Sequence, residues 1–599
     1  MVLEEASVHP SDWPYERAPL AQECAEGWAQ VAAACVPHGS VVIGAIGHCG
    51  GQGSSAYSQA PLWAPSPVPE VNTREVPKAM ETEDIDAVVA HFGLAGKLAI
   101  ASGLHGVEVN AGQHSLIRQF LSGLTNLRAD AYGEDRLRFA REALLAVRAG
   151  VGPEGIIGLR LSCDELAPWA GVTPELAEPI VAALAELCDY LVVVRGGIFS
   201  VAQTRPDGHE AAGFNIELCN KMRTVVAGIV PVFAQGSIIR VDQAEWAVME
   251  GKADGVEMTR AQLADPDLGR KLFPDATVPR PCVLCNQRCQ VRDNRNPIVS
   301  CVMDPRSGHE LDDAAEPAVS PRDNIQRTLT IVGAGVAGLE TARIAAVRGF
   351  AVIVRDRAPV VGGVLLSASR GAGRVRLAKA VEWLHAECVR LGVVFELGAP
   401  VDAATLESLR ASGLVVLATG GTHGTLPFAV SESVDLRHAV DVLALDDPIA
   451  SLPPGPVVVW DPIGGPIGLS VAELLASDDT RRHAGVTLVT PDLLVGEKLS
   501  LTGDLATAQI RLHGLGVRLV KQAIVRCVAD GRVDVEDRFS GTADVIDATT
   551  FIACGHRLPD HALDGAETLP QAGDRVAPRT IHEAILEGRR VAMALPVRS

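Results

Sequence analysis

The chain has 599 residues, of which 47% are hydrophobic and 21% charged, and its formal net charge at pH 7 is −20. This composition is typical of a globular protein and not of a disordered one. The negative charge argues against nucleic acid and against an anionic membrane as partners, because both require a basic surface. We therefore expect a small-molecule substrate, and homo-oligomer formation is left open.

The N-terminal sequence MVLEEASVHPSDWPYER has neither a basic start nor an apolar run. No segment reaches about 18 consecutive apolar residues, so we expect no membrane-spanning helix. The 13 cysteines are scattered along the chain, which is not the pattern of a secreted disulfide framework. Together these features predict a cytoplasmic protein.

Strand-like apolar runs alternate with amphipathic helical patterns in the first half of the chain. This strict alternation predicts a parallel sheet with right-handed crossovers. We predict an α/β fold whose N-terminal domain, residues 1–279, is a (β/α)8-type barrel. Polar residues such as Arg160, Arg195 and the turn 235–237 lie where strands end, at the catalytic rim of that fold. The strand-like runs are 40–46, 106–110, 156–161, 190–194, 229–234 and 255–258.

The barrel pattern is incomplete at its N-terminus. Six strands are recognised rather than eight, and the chain opens with a loop, residues 7–19. At ~30 residues for each βα unit, about two units are absent. Two hypotheses follow: the protein starts upstream, or the barrel is open and exposes two unpaired strand edges.

Residues 280–310 are rich in Pro, Asn and Arg and contain four cysteines in the spacing C-x2-C-x3-C-x11-C. Three close cysteines followed by a later fourth are typical of an iron–sulfur cluster, whereas zinc sites usually pair two C-x2-C motifs. The spacing favours a 4Fe-4S cluster, with zinc, and then unligated or disulfide-bonded cysteines, as alternatives. The predicted ligands are Cys282, Cys285, Cys289 and Cys301.

A linker, residues 311–326, precedes a dinucleotide-binding pattern predicted over 327–452 and 546–599. The sequence LTIVGAGVAG places a G-x-G-x-x-G motif between an apolar strand and a helix, where helix N-terminal amides hold a pyrophosphate. Asp356 ends the next strand and can accept a hydrogen bond from a ribose hydroxyl. Helix capping is the alternative role of Asp574. The predicted binding residues are Gly333, Gly335, Gly338, Asp356, Thr419, Gly420 and Asp574.

A second strand-turn-helix pattern, PVVVWDPIGGPIG, lies in an inserted domain predicted over 453–545. Its glycines, Gly464, Gly465 and Gly468, do not form the complete fingerprint. No acid or arginine is recognised at the end of the following strand, residues 486–490. We predict nicotinamide-nucleotide binding here; the alternative is a structural βαβ unit with a pair of turn glycines.

This order of domains resembles the Old Yellow Enzyme family, in its 2,4-dienoyl-CoA reductase and trimethylamine dehydrogenase branch. The segments AGKLAIASGLHGVEV, FLSGLTNLRADAYGEDRLRFAREALLAVR and ADGVEMTRAQLADPDLGRK carry the resemblance together with the cysteines and the glycine motif. Within the branch, the chain is most similar to oxidoreductases associated with the mycofactocin system. The resemblance implies FMN in the barrel, a 4Fe-4S cluster beside it, FAD in the first Rossmann domain and NAD(P)H at the second.

The resemblance also implies roles for individual residues. Arg160 would lie near the flavin N1 region, where its charge stabilises the anionic reduced ring. Gly236, Ser237 and Arg260 would bind the FMN phosphate, for which backbone amides are suitable donors. A surface or salt-bridged position is the alternative for Arg260.

The chain departs from the family at the substrate end of the barrel. Asn110, Gln113 and Ser115 stand where the family has His, His or Asn, and the proton-donating Tyr. The glutamine that contacts the flavin pyrimidine is replaced by Ala45. His114 or His48 could donate a proton instead, although a histidine in this place is more often a structural hydrogen bonder.

Three functional hypotheses follow from the sequence. The first is an NAD(P)H-dependent enzyme that reduces an α,β-unsaturated carbonyl or thioester. The second is an amine or alcohol dehydrogenase that passes electrons outward, as trimethylamine dehydrogenase does. The third is a truncated protein that holds FAD and the cluster without FMN chemistry.

Overall fold

The structure is a computed structural model. It describes residues 1–14, 19–71, 73–197, 200–273, 277–289, 298–313, 315–317, 319, 327–563 and 568–596, without the side chains of Tyr57 and Val201. The described residues divide into two compact units. The first comprises 1–206 and 210–259, and the second comprises 207–209 and the described residues from 260 onward.

The first unit is built on a parallel sheet of seven strands in sequence order. Its strands are β1 Val2–Ser7, β2 Ile43–Gly47, β3 Gly106–Ala111, β4 Ile156–Ser162, β5 Tyr190–Val194, β6 Val232–Ala234 and β7 Gly255–Val256. A separate ladder pairs Trp63–Ala64 with Lys78–Ala79. The β/α barrel architecture expected from the sequence is thereby confirmed in its strand order.

Helices alternate with these strands and bury their apolar sides in the core of the unit. In the helix Arg138–Val151, for example, Phe139, Leu144 and Val147 are fully buried. The helices are α1 Ala21–Cys35, α2 Thr82–Ala101, α3 Leu116–Leu121, α4 Arg138–Val151, α5 Pro174–Ala185, α6 Ile216–Val226 and α7 Val241–Met249. Shorter helical segments are Ser55–Ser58, Ala131–Glu134, Val201–Thr204 and Thr259–Ala264.

Strand β1 corrects the expectation of six strands and of a loop at the start of the chain. It pairs in parallel with β2, from Val2 opposite Ile43 to Ser7 opposite Gly47. Its central residues are Glu4 and Glu5, which interrupt the apolar run that a strand prediction needs. Glutamate is also depleted in strands, so the sequence does not indicate a strand here. Glu4 is exposed, whereas Glu5 is half-buried.

The second unit contains two parallel sheets. The first has the order β10-β9-β8-β11, formed by β8 Thr328–Val332, β9 Ala351–Asp356, β10 Val394–Leu397 and β11 Leu414–Leu417. Its helices are α8 Val336–Val347, α9 Gly363–Ala368, α10 Ala378–Arg390 and α11 Ala403–Ser412. Four of the five residues of β8 are buried, as expected for a strand covered on both faces.

The second parallel sheet has five strands in the order β14-β21-β15-β16-β17. Smaller sheets are β13-β18-β19-β20 and the antiparallel pair β12-β22. The remaining strands of the unit are β12 Gly421–His423, β13 Ala429–Val430, β14 Asp435–His438, β15 Val457–Trp460, β16 Val486–Val489, β17 Arg518–Val520, β18 Ala523–Ala529, β19 Arg532–Asp537, β20 Ala543–Asp547, β21 Thr550–Ala553 and β22 Arg557–Pro559. The helices are α12 Ala439–Ala444, α13 Pro466–Ser477, α14 Asp479–Ala484, α15 Leu505–Gly514 and α16 Ile581–Ala594.

Two strands of the five-stranded sheet, β14 and β21, lie outside the range 453–545 predicted for the inserted domain. The predicted domain boundaries remain predictions. Among the described residues, no helix is both long enough and apolar enough to cross a membrane.

A buried ion pair joins α3 to the loop after β4. The guanidinium of Arg118 donates to Glu165, to the Gln52 side chain and to a backbone carbonyl, and both charged side chains are almost fully buried. The second Glu165 oxygen accepts from Ser122 and from the Val172 amide. All of these charges therefore have hydrogen-bond partners in the folded state.

Replacing Arg118 by Met should destabilise the first unit, because it leaves the Glu165 carboxylate buried without its cation. Removal of one member of a buried pair costs about 3–5 kcal/mol. We expect the first unfolding transition in urea to move to lower concentration. The control is Arg138→Met, which removes an ion pair with Glu142 at the surface of α4 and should leave that transition unchanged. Equal shifts in the two variants would contradict the prediction.

Candidate functional site

The four predicted metal ligands lie together in the second unit. Cys282, Cys285, Cys289 and Cys301 line one cavity, whose other walls are mainly apolar side chains from Leu263 to Met303. Leu284 and Asn286 adopt left-handed backbone angles, φ +51° and +52°, so the chain turns sharply between the cysteines. The Met303 amide donates to the Cys301 sulfur at 3.4 Å.

The donor set of this cavity fits a cluster. Burial raises the pKa of Cys282 to about 12 and that of Cys301 to about 11, so metal binding must displace protons from the thiols. In the part of the chain that the structure describes, no group of three His, Cys, Asp or Glu side chains is arranged to hold a metal ion. A zinc ion requires ligands that converge on one point at about 2.3 Å. In a 4Fe-4S cluster each thiolate binds a different iron atom, so four thiols around one cavity meet the requirement.

A salt bridge joins the two ends of the cysteine segment. Arg280 pairs with Asp304 at 3.1 Å, and its backbone amide donates to Asp265 at 2.7 Å.

Arg260, predicted to bind the FMN phosphate, lines the cysteine cavity and donates to the Asn286 side chain at 2.6 Å. Its expected role at the phosphate remains a prediction.

The three glycines of the first nucleotide motif are required for different reasons. Gly333 has a φ of +116°, and a Cβ at Gly338 would overlap the Gly333 carbonyl oxygen. Gly335 precedes α8, and a Cβ there would meet no atom within 4 Å. Gly333 and Gly338 therefore shape the turn, whereas Gly335 leaves open the space at the N-terminus of α8, where dinucleotide-binding folds in general place a pyrophosphate.

Asp356 accepts hydrogen bonds from backbone amides at this turn. Its carboxylate accepts from the Ala334 amide at 2.6 Å and from the Ala358 amide at 2.7 Å. Thr419 follows β11, and its buried hydroxyl has no hydrogen-bond partner among the residues that the structure describes. An unsatisfied buried hydroxyl is costly, so a ligand that pairs with Thr419 would be stabilised. Gly420 has a φ of +84°.

Asp574 does not cap the final helix. The N-cap of α16 is Thr580, which forms a capping box with Glu583. Burial raises the pKa of Asp574, although Arg557, 3.7 Å away, opposes this shift. The capping alternative for Asp574 is therefore wrong, and its predicted cofactor role is untested.

The second glycine turn is occupied by a side chain of the protein. Asp461 accepts from the amides of Ile463 and Gly464, both at 3.0 Å. Its other oxygen is buried and has no hydrogen-bond partner within the described part of the chain. Burial raises the pKa of Asp461 to about 6, and the charge of Asp492 adds to the effect. A Cβ at Gly464, where φ is +67°, would lie 2.7 Å from the Asp492 carboxylate.

These contacts correct the expectation that no acid marks this strand end. Asp492, three residues after β16, lies beside the turn. Gly465 precedes α13, whose first residue, Pro466, has no N–H to donate. A Cβ at Gly468 would lie 2.6 Å from Asp461 Oδ2. Two carboxylates and the loss of free amides favour the structural βαβ alternative over pyrophosphate binding.

Two carboxyl groups of the first unit pair with Arg160. Arg160, predicted to contact the flavin, pairs with Glu108 at 2.8 Å and also with Glu257. The Tyr190 hydroxyl donates to the second Glu108 oxygen at 2.8 Å. The Arg160 guanidinium is thus neutralised by acids on β3 and after β7, which the sequence does not reveal.

A third carboxyl in this interior, Glu5 of β1, was missed in the sequence. It accepts from the Asn110 side chain at 2.5 Å. Asn110 also accepts from the Gly112 amide at 2.8 Å, so one N–H of its amide remains for a substrate carbonyl. Burial raises the pKa of Glu5 to about 8.

Ser115 stands where the family has its proton-donating tyrosine, and Gln113 and His114 are the other predicted catalytic residues near it. The Ser115 hydroxyl donates to the Asn110 carbonyl at 2.6 Å and accepts from the Ile117 amide at the start of α3. Gln113 accepts through its backbone carbonyl from Arg118. Burial lowers the pKa of His114 to about 4, and it also lowers the pKa of His48. Both imidazoles are therefore neutral at pH 7, and any proton they donate is that of a neutral ring.

The turn after β6 contains the residues predicted to bind the FMN phosphate. Gly236 and Ser237 both have positive φ, +136° and +56°, so the backbone turns sharply here. The Asn215 side chain fixes the turn by donating to the Gln235 carbonyl at 2.8 Å. The role of this turn at the FMN phosphate stays a prediction.

Comparison with known proteins identifies the family. Residues 3–275 match the NADH:flavin oxidoreductase / NADH oxidase family, and residues 331–390 match an NAD(P)-binding Rossmann-like domain. The metal reductase of Desulforamulus reducens is 30% identical over 595 residues, covering 93% of this chain and 87% of that protein. The chain belongs to the NADH:flavin oxidoreductase / NADH oxidase family and is an oxidoreductase.

Two further comparisons agree with the branch inferred from the sequence. The multifunctional alkene reductase/demethylase OYE of Caballeronia cordobensis is 29% identical over 611 residues, 93% of this chain and 86% of that protein. The structure of histamine dehydrogenase from Rhizobium sp. 4-9 covers 100% of this chain, with a TM-score of 0.90 at 22% identity, and 90% of that structure is matched. The predicted fold class, a β/α barrel followed by nucleotide-binding domains, is confirmed.

Replacing Cys301 by Ala should remove the cluster, because a cluster requires all four thiolates. We expect the iron and acid-labile sulfide content of the purified protein to fall to near zero. Cys24→Ser, which changes a free cysteine of α1, should keep the wild-type content. Retention of iron in Cys301→Ala would rule out the predicted ligand set.

Replacing Gly335 by Ala should weaken FAD binding without disturbing the fold, because the added methyl group enters the open space at the start of α8. We expect affinity to fall about tenfold, a change of ~1.4 kcal/mol, measured by FAD titration of the flavin-depleted protein. Gly514→Ala adds a methyl group in equally open space at the end of α15 and is the control. An unchanged affinity in Gly335→Ala would place the nucleotide elsewhere.

Proposed function

We propose that the protein is an NAD(P)H-dependent flavin and iron–sulfur oxidoreductase that reduces an activated C=C bond of an enone or enoyl thioester. The observation that carries this proposal is the cavity lined by Cys282, Cys285, Cys289 and Cys301 in the same unit as the open glycine turn at Gly335. Such a pairing of sites serves one-electron transfer next to a two-electron carrier. The name alkene reductase/demethylase of one relative is in line with this chemistry.

In this proposed function, residues of the chain would bind the cofactors and orient the substrate. When bound, NAD(P)H, FAD, the 4Fe-4S cluster and FMN would supply electron transfer in that order, ending in hydride transfer to the C=C bond. Gly333, Gly335 and Gly338 would position the FAD pyrophosphate, and Gly236 and Ser237 the FMN phosphate. Asn110 would orient the substrate carbonyl through its free N–H.

A second candidate function is an amine or alcohol dehydrogenase that passes electrons outward. Two observations favour it. The Asp461 carboxylate occupies the second glycine turn, where the first proposal needs a nicotinamide nucleotide. The Ser115 hydroxyl, which replaces the tyrosine proton donor, is engaged by backbone groups, and oxidation of an amine requires no proton donor to carbon.

An anaerobic redox titration separates the two functions. For the first, NADH or NADPH should bleach the flavin absorbance, and an enone or enoyl thioester should restore it. In Cys301→Ala the nucleotide should bleach only part of the absorbance, because electrons cannot pass beyond FAD, whereas Cys24→Ser should behave as the wild type. Acid-released flavin should contain both FMN and FAD; FAD alone would support the protein without FMN chemistry.

The opposite pattern would favour the second function. Reduction of an artificial dye by secondary or tertiary amines or by alcohols, without NAD(P)H, would identify a dehydrogenase. The proposal of C=C reduction fails if no member of a panel of enones and enoyl thioesters reoxidises the reduced flavin.

A further inference from the structure

Glu5 occupies a space in the barrel interior that the neighbouring strand leaves free. On β2, Ala45 and Gly47 lie on the same face, because side chains alternate along a strand. A Cβ at Gly47 would overlap the Glu5 carboxyl and would lie 3.2 Å from Asn110 Cβ. The carboxyl therefore lies over Gly47, and it accepts a hydrogen bond from the Asn110 amide at 2.5 Å.

Ala45 is the position at which the family resemblance implies a glutamine in contact with the flavin pyrimidine. We propose that the Glu5 carboxyl binds the pyrimidine edge of FMN in place of that glutamine. The inference rests on the presence of FMN in the barrel, which is part of the proposed function, but it does not depend on which substrate is reduced.

The chemistry of the two side chains supports the exchange. The pyrimidine edge of a flavin presents an N–H donor between two carbonyl acceptors. A glutamine amide offers one acceptor and one donor to such an edge, and a protonated carboxyl does the same through its C=O and O–H. A carboxylate offers only acceptors and would repel the flavin carbonyls. The protonated form of Glu5 is therefore the form that can replace the amide.

The surroundings of Glu5 favour this protonated form. Burial raises the pKa of Glu5 to about 8, and the negative charge of Asp12 in the following loop adds to the shift. Glu108 of β3 acts in the same direction, whereas the hydrogen bond from Asn110 and the charge of Arg160 on β4 oppose it. Arg160 is already shared between two other carboxylates, so its effect on Glu5 is limited.

The sign of the pH dependence follows from this pKa. Below about pH 8 the carboxyl of the folded protein is protonated and FMN binds. Above this pH the carboxyl ionises, and the affinity should fall about tenfold for each pH unit by proton linkage. The affinity should be nearly constant between pH 6 and 7, within about a factor of two.

The test is a titration of the full-length, flavin-depleted protein with FMN alone, followed by flavin fluorescence between pH 6 and about 9.5. The wild type should show the loss of affinity above pH 8. Glu5→Gln should bind FMN about as tightly as the wild type at pH 7 and should lose the pH dependence, because the amide keeps one donor and one acceptor at every pH. Glu5→Ala should bind at least about tenfold more weakly at all pH values, a change of ~1.4 kcal/mol.

Glu4→Gln is the matched control, since it removes the exposed carboxylate next to Glu5 on the same strand. It should reproduce the wild-type curve. The proposal is overturned by a wild-type affinity that is independent of pH, or by a Glu5→Gln variant as weak as Glu5→Ala. If the wild type binds no FMN at pH 7, this proposal and the FMN step of the proposed function both fail. Failure of C=C reduction alone looks different, because FMN then titrates as expected while no enone or enoyl thioester reoxidises the reduced protein.

Discussion

The balance of charge inside the barrel constrains the rest of the first unit. Arg160 is paired with Glu108 and Glu257, and Glu5 lies on the same interior without a cation of its own. Burial raises the pKa of Glu5 to about 8, so this third acid is held as a neutral carboxyl at pH 7. Neutral Glu5 gives the interior a group that can both donate and accept a hydrogen bond, and its carboxyl lies over Gly47 of β2.

In the second unit, one partly buried carboxylate, that of Glu316, lies near several guanidinium groups. Burial alone would raise the pKa of Glu316, but Arg343, Arg280 and Arg589 lower it to about 2. Arg343 belongs to α8, the helix that begins at the glycine motif, and Arg280 lies two residues before Cys282. The Trp383 ring packs against both guanidinium groups, at 5.5 and 5.0 Å. This network ties the cysteine segment to the nucleotide-binding sheet, so the two sites depend on the same buried charges.

The features that could be predicted from the sequence are those that depend on residues close together in the chain. The alternation of strands and helices, the glycines at 333, 335 and 338, and the four cysteines are patterns within short segments, and the structure contains each of them. Strand β1 was missed because Glu4 and Glu5 interrupt the apolar pattern of a buried strand. The contact between Glu5 and Asn110 joins residues 105 positions apart, and no local pattern reports such a pairing. The same holds for Glu257 and Arg160, which are 97 positions apart.

The two glycine turns show why a shared motif does not imply a shared ligand. At the first turn, Asp356 binds amides from behind, and the space in front of Gly335 stays open. At the second turn, the Asp461 carboxylate accepts hydrogen bonds from the amides of Ile463 and Gly464, and the Asp492 carboxylate lies beside Gly464. A pyrophosphate is attracted by free amides and repelled by carboxylates, so the first turn favours a dinucleotide and the second disfavours one. Under the second candidate function proposed above, electrons would enter at the barrel and leave from the second unit. The contacts of Asp461 favour that candidate, because they leave fewer amides for a nicotinamide nucleotide at the second turn.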